Sequence, residues 1–403
     1  MNAEIEPYSD ESLESFLLRL SQYRGYERFA YFAEDIWQNT LFQHQATPGA
    51  FPFELNRINV YHAQTTSQMR LRVLLDLENQ LKLGKFQLLQ IALSHSKATF
   101  SPDYRAVHRQ GIDYPLLFIR HQSTPVCPQC LAEAPYIRQQ WHLLPLKACP
   151  KHHCKLVERC PECGKLLNYQ STESITHCEC GFSLAKTAPV KAELSELKVA
   201  QWLNGEVIEE AGVMELPLAI SARFGFLLWY LGQLEVSEIS FEHFLTYCST
   251  WPRQFDAELE KRTKHADAIR VNNWNKVFLS EAFGPLLKNS RQLPHSQLSQ
   301  NIALAQILQY LTRLVSQHPR GKHANIGDIL LSSLEASAIL GCSTKEVAWL
   351  YQFGELKAQV TLKLRHNLSK YDSVFSLRDV VELRLAQMNC ESDGLQNYLP
   401  EWS

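Results

Sequence analysis

Residues that could ligate a metal ion are concentrated in one short stretch of this 403-residue chain. Eight of them form four successive pairs whose members are separated by one or two residues: Cys127 and Cys130, Cys149 and His152, Cys160 and Cys163, Cys178 and Cys180. A pair at this spacing can bind one ion from a single tight turn, and Zn²⁺ takes four nitrogen or sulfur ligands in a tetrahedron. The sequence therefore predicts two zinc ions per chain.

We expect both zinc sites to be structural. Each quartet is complete, so neither ion would keep an open position for a catalytic water. Gly164 and Gly181 directly follow cysteines of the second quartet. The chain leaving a metal-binding turn often needs a positive φ, which only glycine adopts without strain.

The first quartet admits more than one ligand assignment. His153 and Cys154 lie beside His152, and either could replace it, whereas the second quartet consists of thiols alone. The spacing also permits cross-braced pairing, as in a RING finger. We favour sequential sites, because short intervening loops close at little entropic cost.

Disulfide bonds are the alternative use for these cysteines. The segment Met1–Glu6 is acidic and has no apolar stretch of the kind found in secretory signals. We therefore expect a cytoplasmic protein, in which reduced cysteines at this spacing bind metal.

Length, composition and charge indicate a multidomain, mainly α protein that does not coat nucleic acid. The hydrophobic content is 45% and the net charge is −2, whereas non-specific nucleic-acid binders are usually basic. We expect helix-turn-helix domains flanking two small structural zinc-binding modules. The predicted divisions are residues 1–120 (N-terminal, helix-turn-helix-like), 121–190 (tandem zinc modules), 191–320 (helical) and 321–403 (C-terminal, winged-helix-like helix-turn-helix).

Apolar residues at helical spacing predict several helices. Leu13, Phe16, Leu17 and Leu20 form one stripe. Further helices are predicted from Phe29, from Ser67 to Gly84, and from Ser299 to Ser316. Segments predicted to be irregular are Phe51–Arg57 (extended), Phe100–Ser123 (loop-rich) and Ser183–Val190 (linker).

The C-terminal part contains two capping boxes, in which a Ser and a Glu three residues later satisfy the first amides of a helix. They begin at Ser332 and Ser343, and Gly341 between them predicts a turn. A last helix is predicted from Ser376 and a wing strand over Thr361–Arg365. The helix that would read DNA, Lys345–Phe353, offers one cation and Gln352, so this pattern favours protein contact over base reading.

Together these motifs carry a family resemblance. The segments that carry it are Glu11–Leu20, Cys127–Leu131, Trp141, Cys149–His152, Cys160–Gly164, Cys178–Gly181 and Trp251–Phe255. The chain resembles the TniQ family of transposition proteins, which is related to the target selector TnsD. The resemblance favours His152 as the fourth ligand of the first zinc.

The resemblance implies a non-catalytic adaptor for target-site selection in a Tn-seven-type transposon. Its implied partners are the AAA+ ATPase TnsC, a second copy of the chain and, given the short length and near-neutral charge, a CRISPR effector complex (Cascade) with its guide RNA. DNA would then be contacted mainly through partners.

Two other classes of function remain as alternatives. One is a site-specific DNA-binding selector of the TnsD type or a transcription regulator. The other is a zinc enzyme or ligase, against which the sequence offers no H-E-x-x-H and no P-loop. We expect no catalytic residues.

Overall fold

The computed structural model describes residues 5–43, 51–59, 68–209, 212–233, 240–359 and 369–392. It divides into two compact units, Met1–Leu228 with Val236–Cys248, and Trp229–Glu235 with Ser249–Ser403. The four-part division drawn from the sequence is finer than these units and stays a prediction. Most of the secondary structure is helical, as predicted.

Among the described residues, the first unit begins with the helices α1 (Leu13–Tyr23), α2 (Phe29–Gln43), α3 (Gln68–Leu81) and α4 (Gln87–Ile91). The Ser12 hydroxyl caps α1 by accepting a hydrogen bond from the Ser15 amide. The predicted stripe of α1 is fully buried, and Gly25 follows the helix with a φ of +81°. The predictions for the first three helices are thus confirmed.

A small antiparallel sheet follows, with strands β1 (Ser94–Phe100), β2 (Tyr104–Arg109) and β3 (Ile112–Pro115) in the order β1-β2-β3. The prediction of a loop-rich segment from Phe100 was therefore wrong. Side chains along β1 alternate between more and less exposed positions, but nearly all of them are polar. The alternation of apolar and polar residues that would identify a strand in the sequence is therefore missing. The extended segment predicted over Phe51–Arg57 was also wrong in part, because Leu55–Arg57 forms a 3₁₀ turn with Leu55 buried.

The rest of the first unit surrounds the cysteine-rich stretch. Its helices are α5 (Pro128–Glu133), α6 (Tyr169–Thr172), α7 (Leu194–Leu203), α8 (Ile220–Gln233), within which the units divide, and α9 (Phe241–Thr250). Ser183–Val190 is not a free linker: Leu184 is buried, and the Val190 carbonyl accepts a hydrogen bond from the Lys155 amide. One hydrophobic core includes residues of α1, α2 and α3 together with both cysteine clusters.

Seven further helices and two strands lie in the described part of the second unit. They are α10 (Arg253–Ile269), α11 (Leu279–Phe283), α12 (Leu286–Ser290), α13 (Ile302–Gln317), β4 (Leu330–Ser332), α14 (Ser333–Leu340), α15 (Thr344–Gln352), β5 (Ser373–Ser376) and α16 (Leu377–Ser392). The predicted helices from Ser299 and Ser376 correspond to α13 and α16. An unpredicted pairing of β4 with β5 precedes α14 and α16.

The capping boxes of α14 and α15 are confirmed. The Ser332 and Ser343 hydroxyls accept hydrogen bonds from the amides of Glu335 and Glu346, whose carboxylates accept from the serine amides. Gly341 turns the chain between the helices with a φ of +71°. The predicted wing strand Thr361–Arg365 lies outside the described residues, so the assignment of a winged helix-turn-helix stays a prediction.

Within the parts of the chain that the structure describes, no helix combines the length and the apolar character needed to cross a membrane.

Candidate metal centres

The first quartet is assembled by one helix start and one tight turn. Cys127 is the N-cap of α5, and Cys130 follows within its first turn. Cys149 and His152 lie on a turn closed by two backbone hydrogen bonds of 2.8 Å, from the Cys149 amide to the Cys154 carbonyl and from the His153 amide to the Cys149 carbonyl. His153 completes the turn with a φ of +54°.

The spacing between these ligand atoms fits a tetrahedral ion. With Zn–S bonds of 2.3 Å, two thiolates on one ion lie about 3.8 Å apart, and a thiolate and an imidazole nitrogen slightly less. The Sγ atoms of Cys130 and Cys149 are 3.7 Å apart. His152 Nδ1 lies 3.3, 3.2 and 3.7 Å from the Sγ atoms of Cys127, Cys130 and Cys149. The four residues therefore bring their ligand atoms close enough to share one zinc ion.

Glu133, a residue that the sequence reasoning missed, orients the histidine. Its Oε1 lies 3.0 Å from His152 Nε2, and its other carboxylate oxygen pairs with Lys151. Hydrogen bonds from Lys151 and His152 lower the pKa of the Glu133 carboxyl. A carboxylate on the second ring nitrogen of a ligating histidine fixes the tautomer and leaves the first nitrogen free to bind metal.

Cys154 lies beside this quartet but outside it. Its Sγ is 3.5 Å from Cys127 Sγ, and its side chain is buried. Hydrogen bonds from the thiols of Cys130 and Cys149 lower the pKa of Cys127, while burial raises the pKa of Cys154 to about 12. Cys154 is thus placed to donate a hydrogen bond to a Cys127 thiolate.

The second quartet is built from two similar turns. Cys160 and Cys180 have their Sγ atoms 3.7 Å apart, and Cys163 and Cys178 3.6 Å apart. Gly164 and Gly181 have φ values of +72° and +85°, as expected for the chain leaving such turns. These distances again match the edge of a four-thiolate tetrahedron.

The two quartets are sequential and differ in exposure. Cys127, Cys130, Cys149 and His152 form one group, and Cys160, Cys163, Cys178 and Cys180 form the other, with the ligand atoms of each group within 4.8 Å of one another. The three cysteines of the first group are buried, whereas Cys163 and Cys180 of the second are exposed. The first centre therefore lies within the core, whereas the second lies at its edge, with Cys160 and Cys178 buried and the other two cysteines exposed.

The loop between the two halves of the second quartet, residues 164–177, forms hydrogen bonds with α1 and α2 and the residue that caps α1. Tyr169 Oη lies 3.0 Å from the Ser12 hydroxyl, and Gln170 donates to the Glu14 carboxylate over 3.2 Å. The Glu173 carboxylate accepts a 2.7 Å hydrogen bond from the amide of Phe29, the first residue of α2. An ion in the second centre would therefore fix the segment that positions both N-terminal helices.

Two buried titratable groups lie at this contact. Burial raises the pKa of Glu14 to about 7, although Asn59 donates a 2.9 Å hydrogen bond to its carboxylate. Burial lowers the pKa of His142 to about 3, and His142 Nε2 lies 3.2 Å from Tyr169 Oη. Both groups are therefore stabilised in their neutral forms.

These features define a mainly helical protein with two Cys/His clusters that could each hold a metal ion. Each cluster supplies the four donors of a closed tetrahedral site, so the arrangement suits a structural role. The chemistry of the donors, thiolate with one imidazole, fits zinc.

Comparison with known proteins identifies a family that the N-terminal part of the chain matches. Residues 3–156 match the model of the TniQ family, so this part of the chain is a TniQ domain. The match includes α1, the sheet and the whole first quartet, and it ends before the second. A TniQ domain indicates a role in DNA transposition, in target selection or DNA binding. A search of curated proteins found no match.

Proposed function

We propose that this chain is a non-catalytic adaptor for target-site selection in DNA transposition. It links a target-bound, RNA-guided CRISPR effector to the AAA+ ATPase TnsC and thence to the transposase. The observation that carries the proposal is the TniQ domain, and the metal clusters and the surface of α15 support it.

The metal clusters support an adaptor rather than a hydrolase. Metal-dependent hydrolysis needs an ion with an open position for water or substrate. Each cluster here already offers four protein donors at tetrahedral spacing. Their role is then to fold the chain and to hold the segments around them.

The exposed face of α15 supports recognition of protein rather than of base sequence. Trp349 is 57% exposed and Phe353 81% exposed, one helical turn apart. Lys345 is the single cation of α15. Base readout calls on Arg, Lys, Asn or Gln, whereas exposed aromatic side chains are typical of protein interfaces. We therefore propose that target sequence is read by the effector's guide RNA and that this helix contacts protein.

The near-neutral charge supports the same mode of action. A protein that binds DNA by itself gains most of its affinity from phosphate neutralisation. With a net charge of −2, this chain is poorly suited to tight autonomous DNA binding.

Copurification with a guide-loaded effector, followed by directed insertion with TnsC and transposase, tests the proposal. We expect a stable complex with the effector and insertion at a fixed distance from the guide-matched site. The double variant Trp349→Ala/Phe353→Ala should lose one protein contact and directed insertion. Val271→Ala, which removes an apolar side chain that is 97% exposed in the same unit, is the matched control and should change neither.

The opposite result would support the TnsD-like alternative. Tight, sequence-specific binding of duplex DNA by the isolated chain would show that it reads its own site. In that case substitution of Lys345 and Gln352, rather than of the aromatic residues, should abolish targeting.

A further inference from the structure

The first metal centre has a fifth donor within reach. Cys154 Sγ lies 3.5 Å from Cys127 Sγ, close to the separation of about 3.8 Å expected for two thiolates on one ion. The thiol lies inside the core and is 2% exposed. Its position allows it to share an ion with Cys127.

The backbone around Cys154 is fixed on both sides. Its carbonyl accepts the amide of Cys149 over 2.8 Å, and the neighbouring His153 carbonyl accepts the amide of Ala192 over 3.1 Å. The Lys155 amide donates to the Val190 carbonyl over 2.8 Å. With the backbone held on both sides, Cys154 can approach an ion through rotation of its side chain.

Of the four ligands, His152 can dissociate from the ion with the least disturbance of the core. The side chain is 12% exposed and its Nε2 already pairs with Glu133, whose side chain is 45% exposed. The three cysteines of the quartet are at most 1% exposed. Release of the imidazole toward the surface would leave the buried thiolates in place.

We propose that Cys154 is a reserve ligand of the first centre that determines its metal preference. With Zn²⁺ the centre uses three thiolates and the His152 imidazole. With a softer divalent d¹⁰ cation such as Cd²⁺, Cys154 gives its thiol proton to solvent, its thiolate replaces His152 Nδ1, and the centre becomes a four-thiolate site. The exchange involves no oxidation or reduction.

Cadmium substitution with ¹¹³Cd NMR tests the proposal, because the resonance position distinguishes four-thiolate from three-thiolate, one-nitrogen coordination. The wild-type protein loaded with ¹¹³Cd²⁺ should show two resonances, both in the four-thiolate region. Cys154→Ser should move one resonance to the mixed-ligand region. It should also lower cadmium affinity at that centre by on the order of tenfold, because a harder imidazole nitrogen then takes the place of a thiolate ligand. Zinc affinity should not change.

The variant His152→Ala tests the converse, the loss of the ligand that only zinc uses. It should lower zinc affinity and leave both cadmium resonances in place. Cys248→Ser, which changes another buried thiol, is the matched control and should alter neither metal. The resonance of the second centre reports in every variant whether the fold is intact, and Cys154→Ala provides a second substitution if Cys154→Ser does not fold.

Two results would overturn the proposal. One is a wild-type protein whose first-centre cadmium resonance lies in the mixed-ligand region. The other is a folded Cys154→Ser or Cys154→Ala protein whose cadmium spectrum and affinity equal those of the wild type.

Discussion

The second metal centre provides the most direct test of how the first unit is held together. Cys163→Ser removes one thiolate from it, and we expect the protein to lose one of two zinc ions. A structural zinc contributes on the order of 10 kcal/mol to folding, whereas a whole domain is stable by about 5–15 kcal/mol. Loss of this ion should therefore remove most of the stability of the segments that it fixes.

The structure indicates which contacts should be lost when the second centre has no ion. The hydrogen bonds from the enclosed loop to Ser12, Glu14 and Phe29 contribute about 1 kcal/mol each, and burial of Tyr169 adds about 2 kcal/mol. This sum is too small to hold the loop against the conformational entropy of its residues once the ion is lost. We therefore expect the loop to detach from the N-terminal helices, which keep their own buried contacts.

Elemental analysis, urea unfolding and limited proteolysis of Cys163→Ser measure these effects. We expect one zinc per chain, a lower unfolding midpoint and new cleavage between residues 165 and 177. Cys342→Ser, which changes a thiol outside both quartets, should behave as the wild type. A Cys163→Ser protein that keeps two zinc ions and an unchanged midpoint would refute the structural role of this centre.

Three further predictions concern other substitutions. In zinc-loaded protein, His152→Ala should lower zinc content and Cys154→Ser should not, as measured by elemental analysis after dialysis against a weak chelator. Because burial raises the pKa of Glu14 to about 7, the folded state keeps a proton that the unfolded state releases above its ordinary pKa of 4.5. The protonated Glu14 side chain therefore contributes up to about 3 kcal/mol to the free energy of unfolding. This contribution is fully present below pH 4.5 and is lost as the pH rises through 7. Glu14→Gln should thus lose less stability than the wild type between pH 5 and 8 in urea unfolding; equal losses would contradict the assignment. Trp349→Ala/Phe353→Ala should leave the unfolding midpoint unchanged, since both side chains are exposed.

The parts of the structure that were predictable from the sequence depend on local signals. The Ser12 cap and the apolar stripe determine α1, and the Ser332 and Ser343 capping boxes determine the starts of α14 and α15. The ligand pairs are equally local, because each lies within one turn. In such cases the residues that specify the structure are within a few positions of one another.

The parts that were missed depend on contacts between distant residues. The sheet is held partly by Arg109, which donates to the Ser9 carbonyl over 2.9 Å, and by the Ser221 hydroxyl, which accepts from the Asp113 amide over 2.9 Å. Glu133 orients His152 from 19 residues away. No local pattern identifies these pairs, because polar side chains at such positions look like ordinary surface residues.

The position of the second centre shows that the structural unit extends beyond the TniQ match. The match ends at residue 156, yet the buried Glu14 carboxylate inside it accepts a hydrogen bond from Gln170, and the buried Ser12 hydroxyl contacts Tyr169. A buried polar group that loses its partner destabilises the fold by about 1–3 kcal/mol. Residues 3–156 taken alone would leave these groups of α1 without those partners. The second metal centre, although it lies outside the matched region, is therefore part of what lets α1 pack in the TniQ domain.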